Sequence, residues 1–334
     1  VLLNKRVWVG FLVTLLFLAL FVRQIEFSRI SETLLAAQFA WLMPAVPFYF
    51  LGVWFRAARW RHLLLPLRSF ASSTLFPYVV IGYMANDLLP MRIGELVRAY
   101  VFGTRRGMAK SPVLGTIAIE RLIDGLTLIV FAAVVGLFVS LDGWTGQTLR
   151  VTAALFLGAI GMLFLGLRFQ GKSAAIFLRA LSFLPARFRS PALNVAQGIF
   201  MGMAVLRSPR QLLSVCLFSL LAWTSEAGVF YCVGLALGID VPITVYLLAM
   251  SLGNLVTALP SSQAGIGPFE YFTAQTLFLF GVESSLAGVY ALLLHAVLIV
   301  PVVLLGLVYL WVEQFSLGQV VAQATGDVGV VGET

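Results

Sequence analysis

Long apolar runs alternate with short polar clusters along this chain, and the runs predict helices at roughly 7–22, 39–55, 113–139, 149–167, 211–237 and 285–312. The longer ones reach the ~20 residues that cross about 30 Å of hydrocarbon. Two further apolar regions, about 74–102 and 242–281, are interrupted in the middle. The first interruption reads Asn86-Asp-Leu-Leu-Pro90-Met-Arg92-Ile-Gly94-Glu95-Leu-Val-Arg98. The second reads Asn254-Leu-Val-Thr-Ala-Leu-Pro260-Ser261-Ser262-Gln263-Ala-Gly265-Ile-Gly267-Pro268-Phe-Glu270. Each places a Leu-Pro after an apolar run, then glycine, then a glutamate that reopens a helix. Pro90, Gly94, Pro260, Gly265 and Gly267 are the expected hinge positions. Paired Pro/Gly breaks in two halves of a hydrophobic chain point to a site near the bilayer midplane.

The connecting segments are polar and amphipathic. Residues 23–38 carry Arg23, Glu26, Arg29 and Glu32 at spacings of three, which suits a short interfacial helix. Residues 168–210 interleave Arg168, Lys172, Arg179, Arg187, Arg189, Arg207 and Arg210 with Phe and Leu, a pattern expected to lie on an anionic leaflet. Lys5 and Arg6 ahead of Val7–Val22 imitate a signal peptide, but no A-x-A-like site follows, so a retained first helix is expected.

Composition changes this from a set of runs into a solvent assignment. The chain has 334 residues, of which 60% are hydrophobic and 11% charged. Soluble proteins carry about 25% charged residues, so a chain this apolar reads as a polytopic membrane protein. Charge then orients it. Up to Arg210 there are 22 Lys and Arg against 7 acidic residues; beyond it there are no basic residues and 7 acidic ones. In a membrane protein the positive-inside rule explains such a bias, and nucleic-acid binding is not expected. The clusters Arg56/Arg59/Arg61/Arg68, Arg105/Arg106/Lys110 and 168–210 are expected in the cytoplasm, with the turns at Asp142, Asp240 and Glu283 outside. This parity holds if both interrupted regions are re-entrant hairpins. The expectation is therefore an all-α membrane protein with about six spanning helices and two re-entrant helical hairpins entering from opposite sides. Repeat one, about 39–139, and repeat two, about 211–312, form an inverted-topology repeat within a single domain of residues 1–315. Residues 316–334 are expected to be a flexible tail, and both termini cytoplasmic.

Several charges sit where lipid would not tolerate them alone. Glu120, Arg121 and Asp124 lie within one apolar helix; Glu120 and Asp124 share a face, and Arg121 can reach Asp124. They are either a packing cluster at a helix end or part of a cavity with Arg92, Glu95 and Arg98. Arg92 and Arg98 flank Glu95 at three-residue spacing, so they suit either a phosphate clamp or an internal salt bridge. Glu226 and Glu270 have no basic neighbour in sequence. They bind a cation, carry a proton, or pair with arginines of the other half. His295 is expected to be a hydrogen-bonded packing residue and His62 interfacial. Cys216 and Cys232 are expected to be buried small hydrophobes. No cluster has metal-ligand spacing, and no cofactor is expected.

The three motifs, Asn86-x-Leu-Leu-Pro90-x-Arg92-x-Gly94-Glu95-x-x-Arg98, Glu120-Arg121-x-x-Asp124 and Leu259-Pro260…Gly265-x-Gly267-x-x-Glu270, resemble the lysylphosphatidylglycerol synthase transmembrane-region family of bacteria and archaea. The resemblance covers about residues 10 to 315. It implies a flippase-like module of a prokaryotic cytoplasmic membrane, similar to the flippase half of multiple peptide resistance factor proteins. No cytosolic transferase domain is expected in this chain, so lysyl transfer is not implied. The expected function is movement of an anionic or aminoacylated phospholipid, or of a polyprenyl-phosphate lipid, between leaflets. Asn86, Arg92, Glu95, Arg98, Glu120, Arg121, Asp124, Glu226, Ser261, Ser262, Gln263 and Glu270 would line its cavity. A lipid-modifying transferase and a scaffold for a glycosyltransferase are the alternatives. A lipid synthase or glycosyltransferase is the expected protein partner.

Overall fold

A computed structural model of the chain describes residues 5–23, 27–89, 93–136, 208–257 and 263–316, with isolated positions at 147, 151, 154, 158, 161 and 318. Most of the expected helix at 149–167, most of the 168–210 connector, most of the 316–334 tail, and Pro90, Arg92, Pro260, Ser261 and Ser262 lie outside the described residues.

The described residues form α-helices and short 3-10 turns. A first helix, α1 (Lys5–Val22), precedes the amphipathic α2 (Phe27–Ala36). Then come α3 (Leu42–Leu64), α4 (Ser72–Leu88), α5 (Gly94–Arg106) and α6 (Lys110–Gly136). The second half contributes α7 (Pro209–Ala236), α8 (Ile243–Val256), α9 (Pro268–Leu279) and α10 (Ser284–Val312). The helix ends have local causes. Pro209 opens α7 at its first turn, where a missing N–H costs nothing. Gly107 closes α5 in the left-handed conformation, and Met108 N–H donates back to Gly103 O at 2.9 Å. Glu283 caps α10 by accepting from the N–H groups of Ser285 and Leu286.

The order long, short, break, short, long occurs twice: 23, 17, 13 and 27 residues, then 28, 14, 12 and 29. Packing repeats with it. At the centre α3 lies against α7, while α4 packs on α10 as α8 packs on α6. The central pair is antiparallel: the Phe48 ring meets Gly228, Gly52 meets Ala222 and Ser225, and Phe55 meets Phe218. Small residues let these backbones approach closely. In each half the two short helices pack against each other. Arg68 donates to Arg106 O at 3.5 Å, which ties the outer ends of α4 and α5 together.

The surface is inverted relative to a soluble protein. Leu213, Leu217 and Leu220 of α7, Val300, Leu304 and Trp311 of α10, and Phe48, Leu51 and Trp54 of α3 face outward. Arg56, Arg59, Arg98, Glu120, Asp124, Glu226 and Glu270 are buried. Among the described residues, two helices, α7 and α10, are both long and apolar enough to cross a membrane. Two expectations need correction. The apolar run at 39–55 continues as helix to Leu64, because Arg56 and Arg59 are interior side chains rather than the start of a cytoplasmic loop. Cys216 is exposed on the outward face of α7 beside Leu213 and Leu217, while Cys232 is buried.

Candidate functional site

The charges of α6 meet arginines from two other helices. Arg59 of α3 grips Asp124 with both terminal nitrogens, at 2.5 and 3.1 Å, reaches Glu120 Oε1 at 3.2 Å, and donates to Ser219 of α7. Arg98 of α5 places its two terminal nitrogens on the two oxygens of Glu120, at 3.2 and 3.1 Å. Its guanidinium lies 3.7 Å from the centre of the Trp60 ring, whose Nε1 donates to Thr116. Trp223 Nε1 donates to Asp124 at 3.0 Å. Arg121 completes the cluster, 3.0 Å from Glu120 and 3.3 Å from Asp124. A buried ion without a partner costs several kcal/mol, so this network is stable only as a unit. Two carboxylates serve three guanidinium groups, and Glu95 of α5 is a third negative group acting on Arg121. Arg59 and Arg98 are 0% and 3% exposed, whereas Arg121 is 32% exposed and is the accessible guanidinium of the three.

A second ion pair joins the two halves. Arg56 of α3 contacts Glu226 of α7 at 2.6 Å, and Glu226 accepts from Asn254 of α8 at 2.9 Å. The Arg56 guanidinium packs on Trp223 and Tyr83, 4.6 and 5.8 Å from the ring centres. Each break is fastened by its own glutamate. Asn86 accepts the Gly94 N–H at 2.8 Å and donates to Glu95 at 3.1 Å. A Cβ on Gly94 would overlap the Gly82 carbonyl and the Asn86 amide, which is why glycine stands there. At the other break Gly267 has φ +95° and donates its N–H to Glu270 at 2.7 Å. The other oxygen of Glu270 meets His295 Nδ1 of α10.

Between the two breaks lies a cavity of about 130 Å³, lined by Arg56, Asn86, Asp87, Arg121, Glu226 and Asn254 among others. That is room for a few waters at ~30 Å³ each. A second cavity of about 590 Å³ shares Arg121, Trp223, Asn254 and Thr257 with the first and adds Glu95 together with Leu122, Leu128 and Leu255. Arg121 therefore stands on the wall common to a polar chamber and a larger, more apolar one.

Residues 7–306 match the family described as Lysylphosphatidylglycerol synthase TM region. The chain belongs to that family. It is a membrane protein, as its outward apolar faces require. It is 29% identical over 326 residues to a protein named glycosyltransferase AglD from Haloferax volcanii. That match covers 86% of this chain but only 51% of the relative, so the chain spans about half the length of that protein. It is also 28% identical over 225 residues to a UPF0104 membrane protein of Methanothermobacter thermautotrophicus, covering 65% of this chain and 67% of that protein. No solved structure matches the chain.

Among the residues singled out from sequence, the fold brings Glu120, Arg121, Asp124 and Arg98 into one network and places Asn86, Arg121 and Glu226 on one cavity wall. Arg98 lines neither of these two cavities and has its terminal nitrogens committed to Glu120. Glu226 pairs with an arginine of the other half, one of the three fates open to it in sequence, while Glu270 pairs with His295. Arg92, Ser261 and Ser262 lie outside the described residues, as does the side chain of Gln263. Sequence reasoning passed over Arg56, Arg59, Trp223 and Asn254. The signal for the arginines was their i,i+3 spacing directly behind an apolar run, which puts them on one helix face.

Proposed function

We propose that this protein is a lipid transporter of flippase or scramblase type that passes a phosphate-bearing head group between leaflets through the chamber between the two broken helices. The observation that carries the proposal is the cavity itself: a polar space walled by Arg56, Arg121, Asp87, Glu226, Asn86 and Asn254 inside a bundle whose outside is apolar. Irregular backbone at membrane depth is tolerated only where protein buries it or water reaches it, and residues flanking both breaks, Asn86, Asp87, Thr257 and Ala264, line this space. In this reading Arg121 meets the phosphate, because it is the partly exposed guanidinium of the ion network, lines both cavities, and guanidinium matches phosphate geometry. Asp87, Glu226 and the two asparagines meet the polar or amino part of the head group. The acyl chains stay with the apolar wall of Leu122, Leu128 and Leu255. The two halves act as an inverted repeat whose hairpins enter from opposite faces, and alternating access is a rocking of one half on the other. The membrane is the prokaryotic cytoplasmic membrane, with both termini on its inner side.

The test is translocation of fluorescent phosphatidylglycerol, its aminoacylated form and a polyprenyl-phosphate sugar in proteoliposomes. Rates above protein-free vesicles support the proposal, and their ranking names the lipid. Arg121→Gln should lower the rate at least tenfold in protein shown to be folded by its thermal midpoint, and Arg121→Lys, which keeps the charge, should lower it less. Movement unaffected by Arg121→Gln would rule out the assigned phosphate contact.

A second reading rests on the relative named as a glycosyltransferase, of which this chain matches about half. The bundle would then be the membrane part that presents a lipid substrate to a glycosyltransferase partner or domain. It differs in outcome: glycosyl transfer would need the protein, while vesicle translocation would not occur.

A further inference from the structure

The buried pair Glu270–His295 is not used by the phosphate contact just described, and its geometry has a direction. Glu270 is 4% exposed and His295 7%. One carboxylate oxygen accepts the Gly267 N–H, which opens α9; the other meets His295 Nδ1. A carboxylate already held by a backbone donor takes Nδ1–H, so the network assigns the proton of the ring to that nitrogen. Nε2 then has a free lone pair. Among the described residues it has no hydrogen-bond partner, and the ring lines the cavity together with Phe269, whose ring centre is 4.7 Å away.

We propose that His295 is a proton-binding site of the transport chamber and that its charge changes with chamber occupancy, so that lipid movement is linked to a proton. The inference rests on the transporter reading above. Histidine is the side chain whose ordinary charge change falls between pH 5 and 8. The other groups facing the chamber are Tyr49 and Arg56 from α3, Tyr83 and Asp87 from α4, Arg121 from α6 and Glu226 from α7. Arg56 is neutralised by Glu226, and Arg121 leans on Glu120 and Asp124. The helix α2 also packs on α10 but contributes no described residue to the chamber wall. In the cycle, Nε2 takes a proton from chamber water open to one face, with Glu270 as counter-charge. It returns the proton to water when the chamber opens to the other face. Only an N–H bond is made and broken, and one proton crosses per turn. A histidine kept only for packing would not need an unpartnered nitrogen toward a polar space.

The full chain in phosphatidylcholine–phosphatidylglycerol vesicles with fluorescent phosphatidylglycerol provides the test, at pH 5.5 to 8 on both sides and with a trapped pH dye. The wild-type rate should change several-fold across this range, and His295→Gln, which keeps a hydrogen bond to Glu270 but cannot become charged, should flatten the profile. His62→Gln should follow the wild type. A His295→Gln protein with the wild-type profile overturns the proposal and leaves the transporter reading standing. If the wild type moves no lipid, the transporter reading fails, and 15N-histidine spectra decide the proton site alone. The chain has two histidines, so His62→Gln assigns the signals. A His295 Nε2 signal that does not respond to pH over this range sinks the proton site.

Discussion

Arg59 shows how much one interior side chain can hold. It contacts Asp124, Glu120 and Ser219, and none of its surface is exposed. Removing one partner of a buried pair costs about 3–5 kcal/mol, because the other charge stays behind in a poor solvent. Arg59→Leu should therefore lower the thermal midpoint in detergent by a large step. Adding Asp124→Leu should recover part of it, since the orphaned charge leaves with the substitution; no recovery would mean that Arg59 acts through packing instead. The presence of ionisable residues in an apolar helix was legible from Glu120, Arg121 and Asp124 alone. Their partners were not. Arg56 and Glu226 stand 170 residues apart, and nothing local in either segment says that they touch.

At the scale of the helix, the breaks were readable because their causes are local. The helices α4 and α8 stop at Leu88 and Val256, ahead of the two Leu-Pro steps, and a glutamate near the start of each next helix holds a backbone N–H or the Asn86 amide. The end of α3 was misread for a related reason. Three arginines in six residues resemble a cytoplasmic margin, and only the facing acids of α6 and α7 show that Arg56 and Arg59 belong inside. The contact of α3 with α7 depends on small residues. A Cβ on Gly52 would lie 3.1 Å from the Ala222 carbonyl and 3.2 Å from Arg56 Nη1. Gly52→Leu should wedge the helices apart and loosen the Arg56–Glu226 pair, at a cost of about 1–3 kcal/mol or more for overpacking. Gly52→Ala should cost distinctly less. Equal thermal midpoints for the two variants would contradict a close approach here.

The whole molecule adds sidedness. Arg105, near the end of α5, pairs with Glu313 at the end of α10, while the other end of α10 begins at Ser284. A helix of 29 residues spans about 44 Å. The α5–α6 turn and the α9–α10 turn thus lie at opposite ends of the bundle. In a protein with Cys216 and Cys232 replaced by serine, Thr104→Cys and Asp240→Cys should react with an impermeant maleimide from opposite sides of the membrane. Labelling of both from one side would refute hairpins that enter from opposite faces.

From the sequence alone come the membrane class, the positions of most helices, the two breaks and the surplus of basic residues in the first part of the chain. Each depends on composition or on neighbours within a few turns, and hydropathy and Pro/Gly chemistry act at that range. Only the tertiary structure decides which charges meet, that Arg121 rather than Arg98 is the arginine left partly open, and that His295 faces a chamber. Those outcomes depend on the crossing of helices from opposite halves. There the desolvation of each ion is offset by a partner that chain order does not reveal.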